Sequence, residues 1–204
     1  MPTSKSPKLP KGWPPSVSYL HCSSYSQKLD ASKIDRIVIL KSDLPSSTRV
    51  FSTKGPYANV KITPISDTSH PACGQHALFA TQHLPPDSFI LPYLGRVHAQ
   101  SDADLESDYD LSLDRDLGIG VDAASMGNEA RFINDFRGVA TAPNAEFRDI
   151  FVDTSNGKAE KRVGVFVLSA GKSGKRARGI GRGQEILVSY GKGFWTERQV
   201  VQDH

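Results

Sequence analysis

Two short segments contain residue types that could hold a polar ligand against the backbone. GQHALF, at residues 74–79, places small residues at the start of an apolar run, where a ligand can approach the chain closely. RFIN, at residues 131–134, ends on Asn134, whose amide is costly to bury unless it is hydrogen-bonded. A plain turn explains the first segment equally well, and an asparagine bonded to nearby backbone explains the second.

A third segment, EILVSYGKGFW at residues 185–195, ends a strand-like run on a tyrosine. Ile186, Val188 and Tyr190 share one face of that strand, so the phenol points inward. Gly191 directly after it permits a sharp turn. Taken alone, an inward tyrosine at a strand end is more often a core residue than a catalytic one.

The chain that must position these segments has an ordinary globular composition. It has 204 residues, 38% hydrophobic and 23% charged, which suits one domain, or one domain with an N-terminal extension. The net charge of +3 is a mild bias that fits an acidic or nucleosomal partner without requiring one. No run approaches the ~20 apolar residues that span a membrane, and residues 1–15 lack the apolar core of a signal peptide. The sequence therefore predicts an intracellular soluble protein with no membrane partner.

Familiar cofactor and metal motifs are missing from the sequence. No GxGxxG follows a strand, and no Walker, HExxH or GxSxG motif occurs. Cys22 and Cys73 lie far apart with no histidine pair at zinc-finger spacing, so no metal site and no zinc are expected. Nothing requires a disulfide, which favours a reducing compartment. One basic stretch, from Lys172 to Arg182, is either a solvated glycine-rich loop or a weak nucleic-acid contact or nuclear import signal.

Short apolar and β-branched runs recur at roughly ten-residue spacing, with turn residues between them and almost no amphipathic helix. Residues 1–32 are rich in proline, serine and lysine, and we expect disorder there until Trp13 or Tyr19 finds a surface. The tail after residue 193 is expected to form a short helix. The pattern predicts a mostly-β domain of several small sheets. The expected strands lie at residues 36–40, 48–52, 58–63, 77–81, 88–97, 109–114, 117–123, 144–153, 162–170 and 184–191.

Taken together and in this order, the motifs resemble the SET-domain protein lysine methyltransferases. GNEARFIN followed by PNAEF is similar to the family's Asn-His motif, GQEILVSYGKGFW to its closing tyrosine motif, and YDLSLD with GIGVDAASMGN to the strand pair before them. The resemblance covers about residues 72–195. It implies a mostly-β, β-clip-like fold of small curved sheets with few short helices and a C-terminal pseudoknot, in which the segment around Tyr190 threads beneath the Asn134 loop. The SET domain would span residues 33–195, between an extension at 1–32 and a tail at 196–204.

The resemblance also implies an activity and a location. The reaction would be methyl transfer from S-adenosylmethionine, leaving S-adenosylhomocysteine, to a protein lysine ε-amine, on a histone tail (H3 favoured) or nucleosome in the nucleus. A non-histone protein is the nearest alternative substrate. A catalytically weak binding module on a SET scaffold is the alternative from another class, and a β-rich structural protein with accidental motifs is the third.

The resemblance assigns roles to individual residues. Tyr190 and Tyr109 would be catalytic, and both would also touch the cofactor. The substrate channel would be lined by Tyr93, Phe147 and Val188. Because neither Phe147 nor Val188 has a hydroxyl to anchor a water, methylation beyond the first methyl group is expected. The other cofactor-binding residues would be Gln75, His76, Ala77, Leu78, Arg131, Phe132, Asn134, Asp135 and Trp195.

The chain departs from the family pattern at several places. Gln75, His76 and Ala77 replace the usual Gly-x-Gly, or the glycine role shifts to Gly74. Asp135 replaces a histidine, and the following FRGVATA is longer than usual. The zinc-binding cysteine clusters that often flank the domain are missing, so the lid over the site would come from the C-terminal residues, the N-terminal extension or a second copy of the chain. A homodimer is therefore an expectation.

Overall fold

The computed structural model describes residues 9–154, 156–171 and 178–191. It shows many short strands and little helix, as the sequence predicts. The helical segments are α1 (Ala31–Ile37) and the 3₁₀ helices Lys41–Asp43, Gln100–Asp102 and Glu129–Phe132. The strands are β1 (Ser18–Tyr19), β2 (Ser24–Tyr25), β3 (Val38–Leu40), β4 (Val50–Phe51), β5 (Val60–Pro64), β6 (His76–Ala80), β7 (Phe89–Tyr93), β8 (Arg96–Ala99), β9 (Asp110–Asp114), β10 (Ile119–Asp122), β11 (Met126–Gly127), β12 (Asn134–Asp135), β13 (Ala145–Asp153), β14 (Lys158–Val167) and β15 (Leu187–Val188).

The longest strands, β13 and β14, form an antiparallel pair at the centre of the largest sheet. The order of this sheet is β3-β14-β13-β4, and β7 also pairs with β14. Most side chains of β14 are buried, because other elements cover both faces of the strand. A small apolar cluster of Ile150, Val152 and Phe166 covers one part of this sheet, with Phe51 and Phe89 packed against it.

Two smaller sheets hold the other walls of the domain. One has the order β2-β8-β10-β9. β10 is antiparallel to both β8 and β9, and β2 is parallel to β8. The other is the antiparallel pair β5-β6. The sheets meet on one hydrophobic core that includes Leu78, Leu91, Val97 and Ile186, all almost fully buried.

The end of the described chain threads through the domain as a pseudoknot. β15 pairs in parallel with β12, and the Phe136 amide continues this pairing by donating to the Val188 carbonyl at 3.0 Å. On its other side, the Leu187 carbonyl accepts from the Asn144 backbone amide at 3.0 Å, and the Leu187 amide donates to Asn144 Oδ1 at 2.8 Å. The Ile186 amide donates to the Leu78 carbonyl at 2.8 Å. The predicted fold class, small sheets with a C-terminal pseudoknot, is confirmed. The domain boundaries stay predictions.

Several predicted strands have different limits in the structure. The run at 36–40 is a strand only from Val38, because α1 occupies the residues before it, with the Asp30 carboxylate accepting from the Ser32 amide as an N-cap. The run at 88–97 divides into β7 and β8 at Gly95, where a Cβ would collide with the Asp122 carbonyl.

The C-terminal strand limits also differ. β14 begins at Lys158, four residues before the predicted start, and only Leu187–Val188 of the run at 184–191 is strand.

The described part of the N-terminal extension lies against the domain. β1 pairs with β11, and β2 pairs with β8. Trp13 and Tyr19 do find a surface: their rings meet edge to face at 4.9 Å, and Trp13 also packs on Phe132. Cys22 and Cys73 are exposed free thiols. Among the described residues, no helix has the length and apolar character needed to cross a bilayer.

Candidate active site

Two cavities lie on opposite sides of one shared wall. The Asn134 cavity, about 690 Å³, is lined by Gln75, His76, Phe132, Asn134 and Asp135, among others. The Phe147 cavity, about 710 Å³, is lined by Tyr93, Ile133, Phe147 and the strand β9. The residues that line both are Asp108, Tyr109, Arg131 and Tyr190. Both volumes fall in the range of small-molecule sites, about 300–1,000 Å³.

Tyr190 stands in the shared wall and is fixed at both of its ends. Its hydroxyl donates to the Ile133 carbonyl at 2.7 Å, and its backbone amide donates to Asp135 Oδ2 at 2.7 Å. Burial raises the pKa of the Tyr190 hydroxyl above its ordinary value of 10.0, and the negative charge of Asp135 raises it further. The phenol is therefore neutral at physiological pH, and it cannot act there as a general base.

Asp135 is the hub of the contacts around Tyr190. Besides the Tyr190 amide, its buried carboxylate accepts from the Arg137 backbone amide at 2.9 Å. The Arg137 guanidinium adds bonds of 3.0 and 2.8 Å to the two carboxylate oxygens. Asp135 thus links the loop after β12 to Tyr190, the last residue of the closing segment at residues 185–190.

Asn134 faces the cavity but is also tied to the closing segment. Its Nδ2 donates to Glu185 Oε1 at 3.0 Å and, more weakly, to the His76 carbonyl at 3.4 Å. The other oxygen of Glu185 lies 3.2 Å from His70 Nε2. Asn144 holds the same segment from the other side, because its amide nitrogen donates to the Glu185 carbonyl. A second asparagine therefore fixes the position of the segment.

Arg131 braces the shared wall. Its Nε donates to the Ala123 carbonyl at 2.9 Å, and its guanidinium lies over the Tyr109 ring at 4.4 Å and the Phe132 ring at 4.9 Å. A cation over aromatic faces holds them in place. The Tyr109 carbonyl in turn accepts from the Tyr93 hydroxyl at 2.7 Å.

The structure brings most of the predicted site residues to the two cavities. Tyr93 and Phe147 line the Phe147 cavity, with their rings edge to face at 6.0 Å. Val188 was predicted for the channel, but its side chain is fully buried in the core and lines neither cavity. Val188 instead packs in the main hydrophobic core.

The loop before β6 resolves the question of the missing glycines. Gly74 has φ +85°, a left-handed backbone conformation that residues with a Cβ rarely adopt, so Gly74 provides the turn. Ala77 and Leu78 are strand residues with fully buried side chains and line neither cavity. Their predicted cofactor contacts stay predictions, whereas Gln75 and His76 do line the Asn134 cavity.

Other residues of the cavities were missed by sequence reasoning. Pro14, Ser16 and Val17 of the extension line the Asn134 cavity. In the Phe147 cavity, the buried His98 lies with Nε2 3.0 Å from Asp110 Oδ1. Burial raises the pKa of Asp110 despite this contact.

Some predictions fall outside the described residues. They are the cofactor contact of Trp195, the tail at 196–204, and residues 172–177, which form more than half of the basic stretch from Lys172 to Arg182. Within the described ranges, no three His, Cys, Asp or Glu side chains come together as metal ligands. Independence from zinc stays a prediction.

Several solved structures are similar to this chain. Structures similar to this chain include the polycomb repressive complex 2 of Chaetomium thermophilum, at 25% identity over 66% of this chain and 15% of that chain, with a TM-score of 0.49. The same complex bound to GSK126 matches at 23% identity over 70% of this chain and 17% of that chain, with a TM-score of 0.48. This chain thus spans about a sixth of the length of those proteins.

The curated proteins gave no match to the chain. The SET-domain family model matches residues 75–191, more than half of the sequence, and this segment contains the shared wall and the threaded closing segment. The chain therefore belongs to the SET-domain family.

Proposed function

We propose that the protein is an S-adenosylmethionine-dependent protein lysine methyltransferase. The observation that carries this proposal is the pair of cavities that meet at Tyr109, Arg131 and Tyr190. A transfer reaction between two large molecules needs such an arrangement, because each reactant enters from its own side and only the reacting atoms meet. Membership in the SET-domain family supports the same chemistry.

The Asn134 cavity fits the cofactor in size and in the chemistry of its lining. Amide and carboxylate groups of Gln75, Asn134 and Asp135 suit the polar amino-acid and ribose parts, whereas Phe132 offers an apolar face to adenine. When bound, S-adenosylmethionine supplies an electrophilic methyl group on a positively charged sulfur. The residues proposed to hold it are those predicted from the resemblance that line this cavity, with Tyr109 and Tyr190 at its inner end.

The Phe147 cavity would prepare the lysine. A free ε-amine with a pKa of about 10.4 is almost wholly protonated at pH 7 and cannot attack. Tyr93, Phe147 and Ile133 present apolar surface there, and loss of water lowers the pKa of an amine. Aspartates that line the same cavity, among them Asp108 and Asp110, act the other way, so the lysine loses its proton more easily only where the apolar side chains exclude water.

Tyr190 would orient the amine. Because its hydroxyl proton is donated to the Ile133 carbonyl, the phenol oxygen acts toward the cavity as an acceptor. An amine N–H that donates to this oxygen leaves the nitrogen lone pair directed along a fixed line. The raised pKa keeps the phenol neutral, so no phenolate competes for the methyl group. Alignment of this kind supplies a large part of the rate of a two-reactant step.

We propose a histone tail, with H3 favoured, as the substrate. The protein would then act as a chromatin regulator in the nucleus. This part rests on the resemblance and on the mild positive charge, and a non-histone protein remains the nearest alternative. The catalytically weak binding module is favoured by Asp135, which replaces the family's histidine. However, Asp135 anchors the Tyr190 amide and so serves the placement of the catalytic residue, which favours the enzyme.

One experiment tests these alternatives. The protein is incubated with labelled S-adenosylmethionine and either core histones or nucleosomes, beside Tyr190→Phe. Tyr57→Phe is the matched control, because the Tyr57 hydroxyl bonds to Thr53 and lines neither cavity. We expect label on one histone, its loss in Tyr190→Phe and its retention in Tyr57→Phe. Cofactor binding without transfer to any protein would support the module, and absence of cofactor binding would contradict both.

We also propose a homodimer and a weak nucleic-acid contact through the Lys172–Arg182 stretch. In the proposed homodimer, a second copy of the chain would complete the lid over the site. Light scattering that reports a monomer at working concentration would contradict it. Equal nucleosome binding after neutralisation of the basic side chains in the stretch would contradict the nucleic-acid contact.

A further inference from the structure

The segment at residues 9–19, here called the N-terminal strap, reaches the Asn134 cavity from outside the family match. Pro14, Ser16 and Val17 line this cavity, although the family model begins only at residue 75. Between residues 9 and 69, where the chain is described, no other residue lines it. The strap therefore adds a wall that the SET domain alone does not supply.

The strap is docked next to the cavity by an aromatic contact. The Trp13 ring meets the Phe132 ring edge to face at 5.5 Å, and Phe132 itself lines the cavity. The indole N–H donates to the Val17 carbonyl at 2.7 Å, which closes residues 13–17 into a turn. This turn places Pro14 and Val17 toward the site, so their position depends on Trp13.

A second anchor fixes the end of the strap. Ser18 and Leu20 donate their amides to Ser125 and Gly127 at 3.0 and 2.7 Å, around the β1–β11 pairing. The Tyr19 hydroxyl donates to Glu129 Oε2 at 3.0 Å.

Glu129 is almost fully buried, and its other oxygen accepts from the Tyr57 amide at 2.9 Å. It begins the 3₁₀ helix Glu129–Phe132, which carries Arg131 and Phe132 of the site. The strap and the wall of the cavity are thus joined through one carboxylate.

We propose that the N-terminal strap is part of the cofactor site, with Pro14 and Val17 contacting the adenosine part of the cofactor. Their side chains are apolar, as is the face of adenine, and Trp13 packs this part of the strap against Phe132, the apolar residue already assigned to adenine. Polar groups of the cavity, such as those of Gln75, Asn134 and Asp135, are left for the amino-acid and ribose parts. The proposal rests on the proposed function. It also implies a linkage: if strap docking favours cofactor binding, the bound cofactor favours strap docking by the same factor.

Calorimetric titration with S-adenosylhomocysteine tests the contact. The variants are Trp13→Ala, which releases the turn, and Val17→Ala, which trims a half-buried side chain and leaves the fold intact. Leu9→Ala is the matched control, because Leu9 is in the strap but is 53% exposed and lines neither cavity. Loss of a few tens of Å² of apolar contact corresponds to roughly five- to tenfold weaker binding. We expect this loss in Trp13→Ala and Val17→Ala and unchanged affinity in Leu9→Ala.

Hydrogen exchange on the unaltered protein tests the linkage. We expect S-adenosylhomocysteine to slow exchange of the Ser18 and Leu20 amides, since both are bonded only while the strap is docked. Two results would overturn the role of the strap and leave the methyltransferase proposal standing. One is unchanged affinity in both Trp13→Ala and Val17→Ala, and the other is an exchange rate at these amides that is the same with and without the ligand. Failure of the unaltered protein to bind the ligand would overturn the methyltransferase proposal, and the strap proposal with it.

Discussion

Replacement of Asp135 by asparagine should separate the placement of Tyr190 from the rest of the fold. The carboxylate accepts from the Tyr190 amide through Oδ2 and from the Arg137 amide through Oδ1. An asparagine of the same shape has only one oxygen, so whichever way it turns, its NH₂ group faces one of these N–H donors. The substitution therefore changes hydrogen bonding and charge without opening a cavity.

The size of the effect follows from burial. The Asp135 side chain is 5% exposed, and a backbone donor left without its partner in such a place costs about 1–3 kcal/mol. The ion pair adds at most about 1 kcal/mol, because the Arg137 side chain is 39% exposed. We expect Asp135→Asn to lower the free energy of unfolding by about 1–4 kcal/mol. If Tyr190 shifts by about 1 Å, kcat should fall about 100-fold.

Urea denaturation measures the first quantity, and steady-state kinetics with a protein substrate measure kcat and KM. Arg137→Ala is the comparison, because it removes the exposed ion pair but keeps the backbone amide bond, and it should cost less than about 1 kcal/mol. If the Asp135→Asn variant is folded and its kcat stays within about twofold of the unaltered protein, Asp135 does not position Tyr190 for catalysis.

Three further predictions concern protonation, packing and product. Burial raises the pKa of five of the six tyrosines, so the folded state keeps protons that the unfolded chain loses near pH 10. Stability should therefore be full below about pH 10 and fall as pH rises above it. Absorbance of more than one tyrosinate near pH 10, with the circular dichroism intact, would contradict this. Gly120→Ala places a Cβ 2.8 Å from Asp110 Oδ1 and from the buried His98 ring. It should lower the free energy of unfolding by about 1–3 kcal/mol and so lower the urea midpoint. An unchanged midpoint would mean that Asp110 and His98 move aside without cost. Because Phe147 lacks a hydroxyl, mass spectrometry with excess enzyme and cofactor should show di- or trimethyl product, and only monomethyl product would contradict the proposal. The five tyrosines are Tyr19, Tyr25, Tyr57, Tyr93 and Tyr190.

The elements that sequence predicts well are those whose burial alternates or is continuous. β9, β10 and β13 lie within or close to their predicted limits, because turn residues bound them on both sides. The helix α1 was missed although its start carries a signal, the N-cap Asp30, since the β-branched residues that follow suggested a strand. The limits of β15 could not be predicted, because tertiary contacts with β12 and Asn144 define them.

The candidate site was predictable to the extent that it follows motif order. Tyr190, Tyr109 and Asn134 lie at the cavities, whereas Val188 does not. Alternation alone puts Val188 and Tyr190 on the same face, but the strand β15 ends at Val188, so strict alternation does not extend to Tyr190. The strap residues could not be predicted, because a proline- and serine-rich segment has no periodicity that indicates where it will dock.

The threading of the closing segment has a consequence for how the protein reaches its native state. The Tyr190 hydroxyl bonds to a carbonyl 57 residues earlier in the chain, and Glu185 contacts His70, which is 115 residues earlier. Contacts between such distant residues form slowly, because a long loop must close before they stabilise anything. The sheet β13-β14 is local and can form without them. We therefore expect secondary structure to return before activity during refolding, so that catalytic competence reports the completion of folding rather than its onset.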